Sequence, residues 1–490
     1  MSTNIPTPTP AGETPSALTA AQKFLRDAAI KSADLVHREI IRKNMDSYDA
    51  AHNRGRARIK DWEAARRKCQ EIKREAINNL DKYLLQFEQK VLERGGHVFW
   101  AATGDEACAY IKDLAVRRGV KTVVKSKSMV TEEMHLAPVL EEQGIRVWET
   151  DLGEFIVQLR NEAPYHIVTP AMHLDRQQIR DLFREKLGEG IPDADPQKLV
   201  ALARRKLREA FFAAEMGISG ANFLVADAGA VAISTNEGNG RLSTSLPRIH
   251  VAVTGIEKVI PRLEDLGTLW PVLATSGTGQ PITTYSTLVG GPKRADEADG
   301  PEEFHVVLLD NGRSGLLANA EEREVLHCIR CGACLNICPV YRNIGGHTYN
   351  TTYQGPIGSV LTPHLRGSEF QHLSYASSLC GACTSVCPVN INLHHQLLHN
   401  RHDAVKTGGT KFSERTAFRL WRTAMQHPRL YAFGGWMARK TLRLLYGVGL
   451  SGSVLDPMRV WSRKRSPVPL PSQSFRARWK KDLGRNIGNR

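Results

Sequence analysis

Seven of the nine cysteines fall between residues 328 and 387. The stretch CIRCGACLNIC (328–338) spaces four of them as C-x2-C-x2-C-x3-C. SSLCGACTSVC (377–387) repeats the pattern with Ser377 where the first cysteine is due, and Pro-Val follows both. This spacing before a proline is that of bacterial-type [4Fe–4S] ligation, in which the fourth cysteine of each run serves the other cluster. Three thiolates at i, i+3 and i+6 wrap one cubane while the chain carries the fourth away. Gly332, Ala333, Gly381 and Ala382 let the backbone close on the sulfides, and Pro339 and Pro388 turn the chain off. Crossing then assigns Cys328, Cys331, Cys334 and Cys387 to cluster one and Cys338, Cys380 and Cys383 to cluster two. Zinc also takes C-x2-C pairs, but seldom needs three cysteines at successive x2 spacings before Cys-Pro.

Cluster two is one thiolate short. Three readings stay open: an alkoxide from Ser377, a water, or a [3Fe–4S] centre without that iron. Losing one anionic sulfur favours the reduced state, which makes site two the more oxidising if other effects are equal. Two neighbouring clusters of unequal potential describe an electron relay. An open iron acting as a Lewis acid is set behind it, since no carboxylate-rich pocket is legible nearby. Cys69 and Cys108 stand alone in helical patterns and read as buried thiols. His395, His399 and His402 in LHHQLLHNRH share a helical face, but without a fixing carboxylate they read as a polar surface.

The elements that must carry these residues come in four blocks. Residues 1–20 are Pro/Thr-rich, with neither the basic nor the apolar region of a signal peptide, and read as a disordered lead-in. Residues 21–94 show helical periodicity, with charges of both signs alternating around HNRGRARIKDWEAARRK. Residues 95–311 alternate strand-like runs (Val98–Trp100, Lys121–Lys125, Ile145–Thr150, Tyr165–Val168) with helical ones (Asp105–Arg118, Val130–Gln143, Gly153–Leu159). Further strands are expected at Asn222–Val225, Ala230–Ser234, His250–Thr254 and His305–Leu309. This pattern predicts one α/β domain on a parallel sheet. Residues 312–405 form an all-helical module around the cysteines, and 406–490 a basic helical tail.

Within the α/β block, KSKSMVTEEM follows a strand and opens a helix, so its N–H groups and lysines suit an anion. ISGANFLVADAGAVAISTNEGNGRLSTSLPRIHVAVTGIEKVIP and TSGTGQPITTY are dense in Gly, Asn and Thr between strands, as backbone lining a ligand pocket would be. None is a dinucleotide fingerprint in its strand–turn–helix setting.

The net charge of +15 belongs to the tail: residues 401–490 hold 20 Lys/Arg against 4 Asp/Glu. Its aromatics (Trp421, Trp436, Trp461, Phe475, Trp479) interleave with arginine. A partner subunit or the periphery of an anionic membrane is preferred to nucleic acid as what the tail meets. Clustered cysteines argue for metal ligation in a reducing compartment, and no run reaches the roughly 20 apolar residues of a membrane span. The expected location is the cytoplasm, at most peripheral at the inner face of the membrane.

From about residue 70 onward the chain resembles the lactate-utilisation protein B family. The resemblance rests on KSKSMVTEE, VWETDLGEFIVQL, ANFLVADAGAVAISTNEGNGRL, LPRIHVAVTGIEKVIP, CIRCGACLNICPVYRNIGGHTY, YQGPIGSVLTP and LCGACTSVCPV. It implies a LUD domain of the NagB/RpiA/CoA-transferase-like α/β fold, followed by a helical two-cluster ferredoxin module. It also implies that the seven cysteines are the cluster ligands and that the gap at Ser377 is the family's own pattern. The activity implied is oxidation of L-lactate to pyruvate, with a cysteine-rich iron–sulfur subunit and a second LUD-domain protein as partners. No flavin or nicotinamide motif is legible to take the hydride, so the expected role is an electron-transfer subunit without stand-alone activity. The alternative is a small-molecule enzyme using the LUD pocket, with Glu237 its suspected carboxylate and the clusters structural or regulatory.

Overall fold

The computed structural model describes residues 18–188, 193–408, 412–459, 469–479 and 481. The disordered lead-in expected over residues 1–20 lies outside them up to residue 17.

Four helices open the described chain: Ala20–Ala33, Leu35–Arg56, Trp62–Asn78 and Leu80–Glu93. Thr19, Asp34 and Asp61 start the first three by accepting the N–H of Gln22, His37 and Ala64, which satisfies donors the first turn leaves free. The third helix buries Trp62, Cys69, Ile72 and Ala76, one face at helical spacing.

The strands are β1 (His97–Ala101), β2 (Thr122–Lys125), β3 (Arg146–Glu149), β4 (Met216–Ser219), β5 (Phe223–Val225), β6 (Ala230–Thr235), β7 (Ile249–Gly255), β8 (Val259–Ile260), β9 (Tyr285–Val289) and β10 (Glu303–Leu309). Six of them form a wholly parallel sheet in the order β1-β10-β7-β4-β2-β3. Every residue of β7, IHVAVTG, is buried, as expected of a central strand covered on both faces. The second sheet, β8-β5-β6-β9, was not foreseen as a separate layer; its β5–β6 and β6–β9 pairs are antiparallel.

Two expected elements differ. Tyr165–Val168 is no strand: Tyr165 is buried and spends its polar groups on other segments. Its carbonyl accepts from Tyr341 Oη at 2.6 Å, and its own Oη lies 2.9 Å from His37 Nε2. Its partners are therefore the cysteine module and the N-terminal helices. Val130–Gln143 is two short helices, Met129–Glu133 and Leu136–Glu141, broken at His135 with φ 52°. That left-handed residue re-aims the chain where unbroken periodicity suggested one helix.

Residues up to Ala404 form one compact unit. One core runs through the N-terminal helices (Ile41, Met45, Phe87), the second sheet (Leu224, Val231) and the cysteine module (Leu335, Tyr341, Val360). The opposite face of the parallel sheet has its own core, including Ile111, Val123, Leu140 and Val251. From Val405 a second unit begins. Its helices Phe412–Gln426 and Pro428–Gly447 pack together yet bury no residue, leaving Phe418, Trp421, Phe433 and Trp436 exposed.

Candidate redox site and adjoining cavity

The two cysteine stretches adopt the same backbone. Arg330 and Leu379, each just before a cysteine, are left-handed with φ of 60° and 55°, a strain of about 1–2 kcal/mol for a side-chain-bearing residue. Gly332 (φ 79°, ψ −6°) and Gly381 (φ 79°, ψ −5°) then start the short helices Ala333–Ile337 and Ala382–Val386. Both helices end on an extended cysteine, Cys338 or Cys387. The Arg330 N–H donates to Cys328 Sγ at 3.4 Å; at the matching place the Leu379 N–H donates to Ser377 Oγ at 3.1 Å. The half-buried serine thus holds its oxygen where the first motif holds sulfur.

The thiols fall into two groups. Cys328, Cys331, Cys334 and Cys387 line one small cavity. Burial and then the Cys328 sulfur push Cys387 up to about 12. Cys334 stands well above the ordinary thiol range through burial and then through Cys328, Cys331 and Cys387. The other three respond to one another: Cys338 is raised by burial and by Cys380, and Cys383 is raised to about 11 by burial and then by Cys338. Cys334 also senses Cys383, and the helices Ala333–Ile337 and Ala382–Val386 pack against each other. Cys380 is exposed.

Burial and mutual crowding raise the pKa of these thiols, and an iron–sulfur core is the group that reverses this by binding them as thiolates. The N–H of Ile391, 3.4 Å from Cys387 Sγ, adds a donor of the kind that tunes such sulfurs. The donor set fits a cluster fully at the four-thiol site and with three thiols at the other.

Around the first group lies a shell of buried charge that the cysteine spacing did not announce. Arg313 bonds Glu257 at 2.6 Å and Glu133 at 2.8 and 3.0 Å, and Arg330 reaches Glu257 at 3.2 Å. Glu257 is held at about 2: burial alone would raise it, but the Arg313 and Arg330 guanidiniums win. Lys73 donates to the Glu257 and Val259 carbonyls at 2.5 and 3.3 Å. Burial lowers Lys73 to about 7 and Lys258 to about 8. Arg66 donates to the Cys387 carbonyl at 3.0 Å.

Against this shell opens a cavity of about 410 Å³. Its walls are the segments just after β2 (Ser126–Ser128), β4 (Gly220–Asn222) and β7 (Lys258), together with Asn236, Glu237 and Thr278, and with Arg330 and Cys331. The chain turns outward to β3 from β2 and the other way to β7 from β4. The cavity therefore sits at the carboxyl-end switch point where ligands of open α/β sheets bind. All three stretches singled out in the sequence converge here: KSKSM, the ISGANF–TNEGN segment and TSGTGQPITT. Lys127 spends its ammonium on the Val168 carbonyl at 2.5 Å. Glu237, at the rim, accepts from the Leu152 N–H at 3.2 Å; the protein around it and then the Asp151 carboxylate push it up to about 7.

Other candidates go elsewhere. Cys69 and Cys108 are buried, pushed up to about 12 and about 11. His399 does find carboxylates, Glu322 and Asp403, forming a group that could hold a metal ion; His395 and His402 do not join it. His394 instead bonds Thr384 at 2.8 Å, beside Cys383. A second group, Glu162, His173 and His347, spans 185 residues of chain and had no sequence signal.

Known proteins match the chain block by block. The LUD domain matches residues 84–309, the 4Fe-4S dicluster domain 324–391, and the C-terminal region of lactate utilisation protein B 392–483. Curated relatives named "Lactate utilization protein B" from Bacillus thuringiensis (strain Al Hakam), Bacillus cereus (strain AH187) and Bacillus anthracis (strain A0248) are each 46% identical over 424 residues, or 86% of this chain and 89% of theirs. A solved structure of a DUF162 family protein from Deinococcus radiodurans aligns with 47% of this chain and 98% of its own at 13% identity. Its TM-score of 0.26 is too low to bear on the fold. The identity and coverage of the curated relatives, with all three regions matched in order, show that the chain belongs to the lactate utilisation protein B family.

Proposed function

We propose that the chain is an iron–sulfur electron-transfer subunit of a lactate-oxidising assembly. The observation that carries this reading is the gathering of seven cysteines from two motifs into two adjoining groups, six of them in or against one core and Cys380 at the surface. Cys328, Cys331, Cys334 and Cys387 hold cluster one. Cys338, Cys380 and Cys383, with the hydroxyl of Ser377 as the fourth donor, hold cluster two. One-electron transfer is the chemistry that two such clusters supply when bound. Oxidation of lactate to pyruvate releases two electrons and two protons, so the pair is first taken by a two-electron carrier and then passed singly through this chain. Exposed Cys380 marks the face from which an acceptor is reached. The buried shell of Arg313, Arg330, Lys73 and Lys258 shields charge at the inner site.

The partners proposed are a cysteine-rich iron–sulfur subunit and a second LUD-domain protein. The basic tail, whose described helices bury no side chain, docks to that assembly at the membrane periphery. Among the described residues no helix is long and apolar enough to cross a membrane.

The test is Cys387→Ala in anaerobically purified protein, read by EPR with iron and sulfide analysis. The cluster held by Cys328, Cys331 and Cys334 is expected to be lost although residue 387 lies in the other motif. Loss confined to the site of Cys380 and Cys383 would show that the ligands do not cross.

A further inference from the structure

Away from the thiols and the large cavity, one side-chain cluster has the donor types of a metal centre. Glu162, His173 and His347 each offer a ligand atom, and these atoms lie within 4.8 Å of one another. Glu162 and His173 stand in the segment between the helices Leu152–Leu159 and Arg176–Leu187, while His347 opens the short helix His347–Tyr349 of the cysteine module. Tyr165 positions both imidazoles: its ring stacks on His173 with centroids 4.6 Å apart and meets His347 edge-on at 5.0 Å.

The protonation pattern suits ligands. His347 Nε2 lies 2.7 Å from the Ala163 carbonyl; a carbonyl only accepts, so Nε2 carries the hydrogen and Nδ1 the lone pair. A ring N–H given to a backbone carbonyl is the usual second contact of a metal-binding histidine. His173 Nε2 lies 2.9 Å from Glu162 Oε2, and its Nδ1 is buried without a hydrogen-bond partner, which is costly. Burial lowers His173 to about 4 and takes His347 below the usual imidazole range. Burial alone would raise Glu162, but hydrogen bonds from Arg160 and His173 outweigh it. At neutral pH the set is therefore two neutral imidazoles and one carboxylate, the forms that bind a metal.

Ligand type, not charge, selects the ion. Arg160 gives Nε and Nη2 to Glu162 Oε1 at 2.9 and 2.7 Å, which offsets the carboxylate and leaves Oε2 toward His173. A site with no surplus negative charge and one carboxylate is poor for Mg²⁺ or Ca²⁺, whereas imidazole suits zinc and its first-row neighbours. Tetrahedral zinc at ~2.1 Å spaces its ligand atoms about 3.4 Å apart. Separations here run from 2.9 Å to at most 4.8 Å, within reach of side-chain rotation. Glu162 and His347 also line a cavity of about 340 Å³, which leaves a further position open, as where three protein ligands and a water hold the ion.

We propose that Glu162, His173 and His347 bind one divalent transition-metal ion of the zinc class, with its fourth position facing the 340 Å³ cavity. The site uses none of the seven cysteines and stands apart from the relay reading. The ion ties the segment 160–173 to the cysteine module, and Ile167 of that segment is a wall of the inner thiol cavity.

The test is equilibrium dialysis of the cluster-loaded full chain against buffered Zn²⁺, with Mg²⁺ as a parallel probe, bound metal being counted by mass spectrometry. Zinc K-edge X-ray absorption then reads the ligand shell. One zinc per chain is expected, with nitrogen and oxygen at ~2.0–2.1 Å and no sulfur at ~2.3 Å, and Mg²⁺ in excess should not displace it. His347→Gln is expected to weaken zinc binding at least tenfold while iron and sulfide content stay unchanged. Glu162→Gln, which keeps the side chain's size, should do the same and carries the comparison if the first variant loads its clusters poorly. Absence of bound zinc, a sulfur shell around it, Mg²⁺ binding as tightly, or unchanged zinc affinity in the loaded variants would overturn the proposal.

Discussion

Arg313 is the most exacting point in the buried charge shell, and replacing it with Met tests the account of that shell. Glu257 is held at about 2 against an ordinary 4.5. At 1.36 kcal/mol per pH unit this is about 3 kcal/mol of stability at neutral pH. Breaking a buried pair by removing one partner costs about 3–5 kcal/mol, so the two routes agree. Because the Glu257 pKa is depressed by folding, its contribution is fully present above 4.5 and is lost only as the pH falls toward 2. Wild type should therefore gain or lose nothing from it between pH 7.5 and 5.5. In Arg313→Met, Glu133 keeps Tyr353 and Asn311 (2.7 and 2.6 Å) but loses its guanidinium. Burial then raises its pKa above the unfolded value, and the variant gains stability as the pH falls and the carboxyl takes a proton. Urea unfolding of the loaded protein, followed by tryptophan fluorescence at pH 7.5, 6.5 and 5.5, should show a deficit of about 3–5 kcal/mol that narrows with acidification. A deficit under ~1 kcal/mol, or one that stays constant or widens, would show that Arg313 does not hold these carboxylates ionised.

Ser377→Cys places a thiolate where a hydroxyl now accepts the Leu379 N–H, and should lower the potential of cluster two in an EPR-monitored redox titration. An unchanged potential at full iron content would show that the oxygen already carries equivalent charge. Gly346→Ala should cost more than ~2 kcal/mol and loosen cluster retention, because its Cβ would stand 1.7 Å from the Tyr165 carbonyl oxygen. Gly119→Ala meets no atom within 4 Å and pays only for its positive φ, about 1 kcal/mol; equal melting temperatures for the two variants would contradict this. Truncation after residue 410 should leave cluster absorbance intact, since all seven cysteines precede it in the first unit, while reducing retention on anionic vesicles in co-sedimentation. Loss of absorbance would instead make the tail part of the module.

The parallel sheet was largely legible because its central strands are unbroken apolar runs: His250–Thr254 and His305–Leu309 were each found within two residues. Met216–Ser219, Val259–Ile260 and Tyr285–Val289 were missed. They are two to five residues long, and a glycine sits inside the first. Tyr165–Val168 has strand composition, but tertiary hydrogen bonds claimed it. At the site, the cysteines announced themselves because ligation demands fixed spacing. The cavity was legible only as three separate polar stretches, because their convergence depends on strand order. Arg313 and Lys73 gave no signal, since a basic residue in sequence looks the same whether it meets water or a buried carboxylate; Lys258 lay near the end of the second stretch without being singled out.

The hydrogen bond from Arg66 to the Cys387 carbonyl joins residues 321 positions apart, and it bears on how the protein is made. The N-terminal helices leave the ribosome first, yet the segments that cover Ile41 and Met45 lie in the module synthesised hundreds of residues later. Until then their apolar faces stay open to chaperones, proteases and one another. Closing the core buries Cys331, Cys334 and Cys387, so iron and sulfide are expected to arrive before the helices dock. Cells starved of iron should therefore accumulate a form cleaved by limited proteolysis within residues 20–93, while loaded protein resists. Equal protection in both would mean that the helices dock without waiting for the clusters.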